Sequence, residues 1–264
     1  MISLSTLRHT VAGLAYEVGA FIRQEAATFD RSKIEIKGLN DLVSYVDKSA
    51  EERLVAALKK ALPEAGFIAE EGTAQDDGQP YLWVIDPLDG TTNFTHGLPP
   101  FAISVALLHE KKPVLGVVYE IGADEMFTAV KGEGAFLNGE PIRIAPAQRL
   151  GEALMATGFP YHEFAWMEDY LRVMKGFMQK TQGLRRFGSA ATDLAYLACG
   201  RFHGFFEKGL KPWDVAAGVL LVQEAGGTVT DFRGGENYLF GQEILAGNSL
   251  HSQMLEIIAV NWPQ

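Results

Sequence analysis

The sequence predicts a layered mixed α/β or α+β fold, and three observations predict it. Apolar residues recur at helical spacing near the start of the chain, at Leu4, Leu7, Val11, Leu14, Val18 and Phe21. Four strand-like runs then follow one another in mid-chain, at 101–108, 114–121, 125–130 and 141–144, divided by polar or glycine-bearing turns. The second half returns to helical patterning. Helices and strands thus come in blocks, which argues against a strictly wound parallel sheet.

The elements follow in order. Residues 3–28 read as an amphipathic helix. The stretch 34–40, with Lys37-Gly38, reads as a short strand or loop. A second helix is expected over 41–62, with Leu42, Val43, Val46, Leu54, Val55, Leu58 and Leu62 on one side and Pro63 stopping it. Short strands are expected at 66–70 and 81–85, joined by a polar surface loop over 72–80. The glycine-rich stretch 131–139 reads as a separator. In the second half a helix is expected over 164–178, with Phe164, Met167, Leu171, Met174 and Met178 as its core face. Further helices are expected at 189–200 and at 212–225, the latter opened by Pro212 and closed before Gly226. Strands at 228–232 and 244–246 precede a last helix over 250–260, capped by Asn248 or Ser249. A division near 146–151 gives halves of 1–146 and 147–264.

Composition narrows the function. A 264-residue chain needs no disulfide or metal merely to fold. Its formal charge of −10 argues against salt-driven nucleic-acid binding. The single cysteine, Cys199, forbids an internal disulfide, suits a reducing compartment and reads as a small buried hydrophobe. Arg8, His9 and Glu17 interrupt any signal-peptide core, and no uncharged apolar run is long enough to span a bilayer. A soluble, cytoplasmic protein is the expectation.

Chemistry is concentrated in residues 83–94, which read Trp-Val-Ile-Asp-Pro-Leu-Asp-Gly-Thr-Thr-Asn-Phe. An apolar strand delivers Asp86 to its end, Pro87 is expected to stop the ladder, and Gly90 permits a sharp turn. Two carboxylates held about 4 Å apart repel by roughly 4 kcal/mol at an effective dielectric near 20, so a cation is needed. The donors there are oxygens, which suit Mg²⁺, Mn²⁺ or Ca²⁺ rather than zinc. Taken alone, a solvated Asp-Gly turn competes with this reading. Glu70-Glu71, at the end of a strand, reads by itself as a solvated face. Asp214 reads as a first-turn helix acid, and Asp47 as an exposed one.

Together these residues carry a resemblance. Asp-Pro-Leu-Asp-Gly-Thr at 86–91, with Trp-Asp-Val-Ala-Ala-Gly at 213–218, resembles the two signatures of the inositol monophosphatase family. These are magnesium-dependent, lithium-sensitive phosphomonoesterases. The similarity runs from the first helix to the last, and residues 204–214 resemble the bacterial members especially.

The resemblance implies a layered αβαβα sandwich with its site between the halves. The N-terminal half would carry most metal ligands, and the C-terminal half Asp214 and the substrate pocket. Glu70, Asp86 and the Leu88 carbonyl would hold one Mg²⁺, and Asp86, Asp89 and Asp214 a second. Glu70 would also face a weaker third. Thr91 would hydrogen-bond the attacking water and be oriented by Asp47. The N–H groups of Gly90 and Thr91 would hold phosphate oxygens. Glu207 would contact substrate hydroxyls, Gly188, Ser189 and Ala190 would line the sugar or cyclitol pocket, and Lys37 would sit on a loop over the metals. A homodimer and inhibition by Li⁺ are implied as well. In one departure, Gly72 stands where relatives often carry Ser or Thr, so a hydrogen bond supporting the metal ligands is expected to be missing.

The expected activity is Mg²⁺-dependent hydrolysis of a small phosphorylated polyol, with myo-inositol 1-phosphate as reference. Paired metals suit this reaction, because a single general base supplies only ~10²–10⁴ of the acceleration that phosphate esters need. Glu207 would accept from hydroxyls and repel a second phosphate. That counts against fructose 1,6-bisphosphate and 3′-phosphoadenosine 5′-phosphate, although Lys208 and Lys211 offset the repulsion. Histidinol phosphate is a further alternative. His96 is a weaker candidate for substrate contact, and the remaining histidines read as structural or surface residues. A regulatory protein bound to transcription machinery is the rival of a different class, with Arg185, Arg186, Lys208 and Lys211 as its surface. No membrane partner is expected.

Overall fold

The computed structural model describes residues 3–30, 32, 35–38, 41–72, 78–160 and 163–263. The side chain of Lys37, the whole of His162 and the middle of the 72–80 loop lie outside the described residues.

Two helices, α1 (Leu4–Ala26) and α2 (Tyr45–Ala61), cover one face of a seven-stranded sheet. The sheet runs β3 (Gly66–Ala69), β4 (Tyr81–Asp89), β5 (Ala102–His109), β6 (Lys112–Glu120), β7 (Glu125–Val130), β8 (Gly134–Leu137) and β9 (Glu140–Ile142), in that spatial order. Only its β3–β4 pair is parallel. Leu7, Val11, Val18 and Ile22 of α1 meet Trp83, Ile85 and Tyr119 of the sheet in one core. Each large side chain buried there stabilises by roughly 1.5–3 kcal/mol.

The second half builds a five-stranded sheet in the order β11-β10-β12-β14-β13. Its strands are β10 (Leu154–Thr157), β11 (Gly183–Arg185), β12 (Gly204–Lys208), β13 (Thr228–Thr230) and β14 (Glu243–Gly247). Helices α5 (Ala190–Ala198) and α6 (Pro212–Glu224) are packed between the two sheets. Helices α4 (Met167–Lys180) and α7 (His251–Asn261) cover the outer face of the smaller sheet. The result is the expected αβαβα order of layers. The short helix α3 (Thr91–His96) follows β4 directly.

Several local expectations are corrected. Residues 41–43 are not helical: Asp41–Val43 forms a strand, β2, paired with β1 (Glu35–Gly38). Helix α2 begins only at Tyr45, because Ser44 caps it and its own N–H is accepted by Asp47 at 2.9 Å. The glycine-rich separator contains β8. Residues 154–157, 183–185 and 204–208 are strands that carry too few residues for period-2 patterning to stand out.

The core face of α4 is Tyr170, Val173, Met174 and Phe177, while Phe164, Leu171 and Met178 are exposed. Both stripes keep helical spacing and share Met174. The bulkier ring pair Tyr170 and Phe177, packed on Phe206, decides between them. The N-cap of α7 is Leu250, although Asn248 Oδ1 does accept its N–H at 2.9 Å. Cys199 is half-buried, and burial pushes its thiol up.

Candidate active site

The ends of β3, β4 and β12 and the first turns of α2, α3, α5 and α6 meet at one place. Strand β4 continues past Pro87 to Asp89, contrary to the expected stop. Its register against β5 shifts between Asp86, opposite Ser104, and Asp89, opposite Ala102. Three steps on β4 oppose two on β5, so β4 carries one extra residue there. Proline is tolerated at such a bulge because no ladder N–H is required of it. The bulge also changes side-chain parity: Asp86 and Asp89, an odd number apart, would face opposite sides of a regular strand.

Asp214 arrives from the first turn of α6. Among the described residues, carboxylate oxygens of Asp86, Asp89 and Asp214 lie within 4.8 Å of one another. Asp86 is 1% exposed, and its carboxyl is raised well above the usual range by burial and then by Glu70, Asp89 and Asp214. Asp214 is likewise raised well above its ordinary value by burial and then by Asp89, against the Lys211 N–H donating to it at 2.6 Å. Glu70, just past β3, hydrogen-bonds the Asp86 carboxyl. Two carboxyls in such contact share a proton or require a cation. An all-oxygen set of this density fits hard divalent ions of the Mg²⁺ type.

Asp89 is held by the other half of the chain. Ser189 Oγ and Ala191 N–H, at the start of α5, both donate to its Oδ2 at 2.7 Å. One carboxylate oxygen is thereby fixed. Burial raises Asp89 to about 6 against the pull of those two donors and of Arg186. Thr91 Oγ1 lies 2.9 Å from Asp47 Oδ1 and 3.0 Å from the Leu88 carbonyl. Its single proton serves one acceptor at a time, which leaves oxygen lone pairs available to a water. Asp47 is not an exposed helix acid: it is 1% exposed, raised by burial, and held by Ser44 and Thr91.

The cavity beside the acids has a volume of about 380 Å³, and Glu70, Asp214, Glu207, Trp213 and Phe159 are among its lining residues. Glu207 is buried, and desolvation lifts it to about 8 while Arg186 opposes. A neutral carboxyl both donates and accepts, which suits a hydroxyl partner and weakens the charge repulsion expected of Glu207. Lys208 offsets less than expected. Its Nζ lies 3.3 Å from Glu243 and is set between the rings of Trp166 and Trp262. A larger, more apolar cavity of about 850 Å³ lies elsewhere, near Arg23, Leu98 and Glu120, and lacks a comparable acid cluster.

Three contributors, Glu51, Asp193 and Asn93, were missed by sequence reasoning. Buried Glu51 accepts the Glu71 N–H at 2.7 Å and so supports the turn carrying Glu70. Gly72, in that turn, takes φ +74°, a conformation that glycine alone adopts freely. Asp193, in the first turn of α5, is buried with no hydrogen-bond partner for Oδ1 and is raised well above its ordinary range by burial and then by Glu207 and Asp89. Asn93 donates to two carbonyls. None of these shows a local spacing signal. Of the secondary candidates, exposed His96 contacts the Thr92 carbonyl of its own helix at 2.9 Å. His9, His109, His203 and His251 make local hydrogen-bond or ring contacts away from the acids.

A layered sandwich with buried carboxylates converging between its sheets has the donor set of a site for a hard divalent cation. The chain belongs to the inositol monophosphatase family, whose model matches residues 3–262. It is 45% identical over 235 residues to the Nus factor SuhB of Escherichia coli strain K12, covering 89% of this chain and 88% of that one. It is 39% identical over 252 residues to the inositol-1-monophosphatase of Mesorhizobium japonicum, covering 95% of each. The crystal structure of the extragenic suppressor protein suhB from Bartonella henselae superposes with a TM-score of 0.91 at 38% identity, covering 96% of this chain and 98% of that one. The family is typically magnesium-dependent. Among the described residues no helix is long and apolar enough to cross a membrane.

The raised carboxyls give a pH-dependent expectation. Ionising an acid whose folded pKa is raised destabilises the folded protein. For metal-free protein, the contributions of Asp89 and Glu207 are fully present below about pH 4 and are lost as pH rises through 6 and 8 respectively. Mg²⁺ held by the acid cluster would compete with the Asp89 proton. The difference in melting temperature between Mg²⁺ and chelator should therefore be small near pH 5 and grow towards pH 8. Melting curves across that range would count against the assignment if the difference were absent or flat.

Proposed function

We propose that this protein is a Mg²⁺-dependent phosphatase of small polyol monophosphates, with myo-inositol 1-phosphate as reference substrate. The observation that carries the reading is the convergence of Asp86, Asp89 and Asp214 beside the Thr91–Asp47 pair, with Glu207 facing the same cavity as Asp214. Glu70, Asp86 and the Leu88 carbonyl would hold one ion and Asp86, Asp89 and Asp214 another, with Glu70 facing a weaker third. Bound there, Mg²⁺ supplies neutralisation of the phosphate dianion and a lowered pKa for water.

The chain's own groups do the rest. Thr91 Oγ1, its O–H donating a hydrogen bond to Asp47, accepts one from a water, which Glu70 orients for in-line attack. The N–H groups of Gly90 and Thr91 donate to phosphate oxygens. Glu207 takes a polyol hydroxyl, and the segment Gly188, Ser189 and Ala190 forms the adjoining wall.

A substrate panel with Mg²⁺ tests the reading: myo-inositol 1-phosphate, fructose 1,6-bisphosphate, 3′-phosphoadenosine 5′-phosphate and histidinol phosphate. Turnover of the nucleotide about a hundredfold better than the inositol ester would overturn the polyol choice. A remote variant sharpens the test. A Cβ at Gly158 would lie 1.8 Å from Glu207 Oε1, and the three atoms nearest to it all belong to that carboxyl. Gly158→Ala is expected to lower kcat/KM for inositol 1-phosphate at least about tenfold while sparing p-nitrophenyl phosphate. Equal retention of both activities would remove Glu207 from the pocket's chemistry.

A second reading is favoured by the name of the Escherichia coli relative, a Nus factor. It is a protein partner in the transcription machinery, and it is compatible with catalysis. Affinity capture of transcription factors, set beside phosphate release, separates the two.

A further inference from the structure

The phosphate-binding turn and the polyol wall come from different halves of the chain, and one buried side chain joins them. Asn93, on α3 two residues after Thr91, is 8% exposed. Its Nδ2 donates to the Pro100 carbonyl at 2.8 Å and to the Phe187 carbonyl at 2.7 Å. Both amide protons are thereby used, and the reverse amide orientation would set oxygen against two carbonyls.

The amide also packs against Gly188, where a Cβ would lie 3.0 Å from Nδ2 and 3.1 Å from Oδ1. Gly90 closes the junction from the other side: its Cβ would lie 3.0 Å from the Pro100 carbonyl and 3.2 Å from that of Gly188. Beyond this junction, Ser189 and Ala191 grip Asp89.

We propose that Asn93 is a positioning residue, its amide setting the register between the turn at 90–91 and the wall at 187–191 and hence the spacing of two grips on one substrate. The inference rests on the phosphatase reading. It concerns how that site discriminates: both esters need Asp89, which Ser189 and Ala191 hold, but an ester without a polyol makes no contact with the pocket face of the wall.

The test compares myo-inositol 1-phosphate with p-nitrophenyl phosphate at saturating Mg²⁺ in wild type, Asn93→Ser and Asn93→Asp. The ratio of the two kcat/KM values is independent of the folded fraction, so a merely structural role leaves it unchanged. The register role lowers it at least about tenfold in both variants, since misplacement of about 1 Å costs up to ~10² in rate. A ratio within about twofold of wild type overturns the proposal. Wild-type protein that hydrolyses neither ester sinks the phosphatase reading instead. The tie is then read by hydrogen exchange at the Ala191 N–H. Exchange about tenfold faster in Asn93→Ser supports it, and unchanged protection overturns it.

Discussion

Asp89→Asn is expected to lose Mg²⁺-dependent turnover by at least about 10³-fold, equivalent to roughly 4 kcal/mol of barrier. The fold should survive the change. The asparagine carbonyl can accept the same two hydrogen bonds, from Ser189 Oγ and Ala191 N–H, that now fix Asp89 Oδ2. Its NH₂ group then takes the place of the other carboxylate oxygen, and an amide donor cannot ligate a cation. The same substitution removes one of three mutually repelling carboxylates. The metal-free variant should therefore melt no lower than metal-free wild type near neutral pH, and the melting shift on adding Mg²⁺ should vanish. Turnover assays with paired melting curves give both readouts. Retained Mg²⁺-dependent activity would falsify the assignment of Asp89 as a ligand.

How much of this site was legible follows from where its residues lie in the chain. Asp86, Leu88, Asp89, Gly90 and Thr91 form one continuous stretch at the end of an apolar strand, so both position and chemistry were readable. Even so, the bulge that turns Asp86 and Asp89 the same way was not readable, because Pro87 looked like a strand stop and is a strand irregularity. Asp214 looked like an ordinary first-turn acid and Asp47 like an exposed helix acid. What distinguishes Asp47 is burial under Ser44 and Thr91, a tertiary property.

Asn93 to Phe187 and Asp89 to Ser189 are contacts across about a hundred residues, and a single sequence carries no periodic trace of such pairs. Lys208 shows the same limit from the opposite direction. Its charge was legible, but its neutralisation by Glu243 between two indoles depends on α4, β14 and the end of α7 coming together. For the fold, long elements with several turns or many strand residues were recovered. Three- to five-residue strands such as β8, β10 and β11 take their form from sheet neighbours rather than from their own pattern.

Gly90→Ala should be among the most damaging single-methyl additions to the protein, and its cause can be separated into two parts. Gly90 sits at φ +90°, where a side chain costs about 1–3 kcal/mol. The added methyl would also approach the Pro100 and Gly188 carbonyls and the Phe101 Cα, at 3.0, 3.2 and 3.4 Å. All three are main-chain atoms, so no side chain can swing aside, and relief requires the turn between Asp89 and Thr91 to rotate. That turn joins a metal-ligand candidate to the hydroxyl proposed to orient the water, and displacement of about 1 Å there can cost ~10² in rate.

Gly97, at the other end of α3, supplies the control. It lies at φ +69°, and a methyl added there would meet no atom within 4 Å, so Gly97→Ala carries the backbone strain without the collision. Both variants should lose stability in denaturant titrations. Only Gly90→Ala should also lose about 10² in kcat at saturating Mg²⁺. Equal turnover in the two would mean that the junction with Pro100 and Gly188 yields freely, and that the halves of the site are not held in register there.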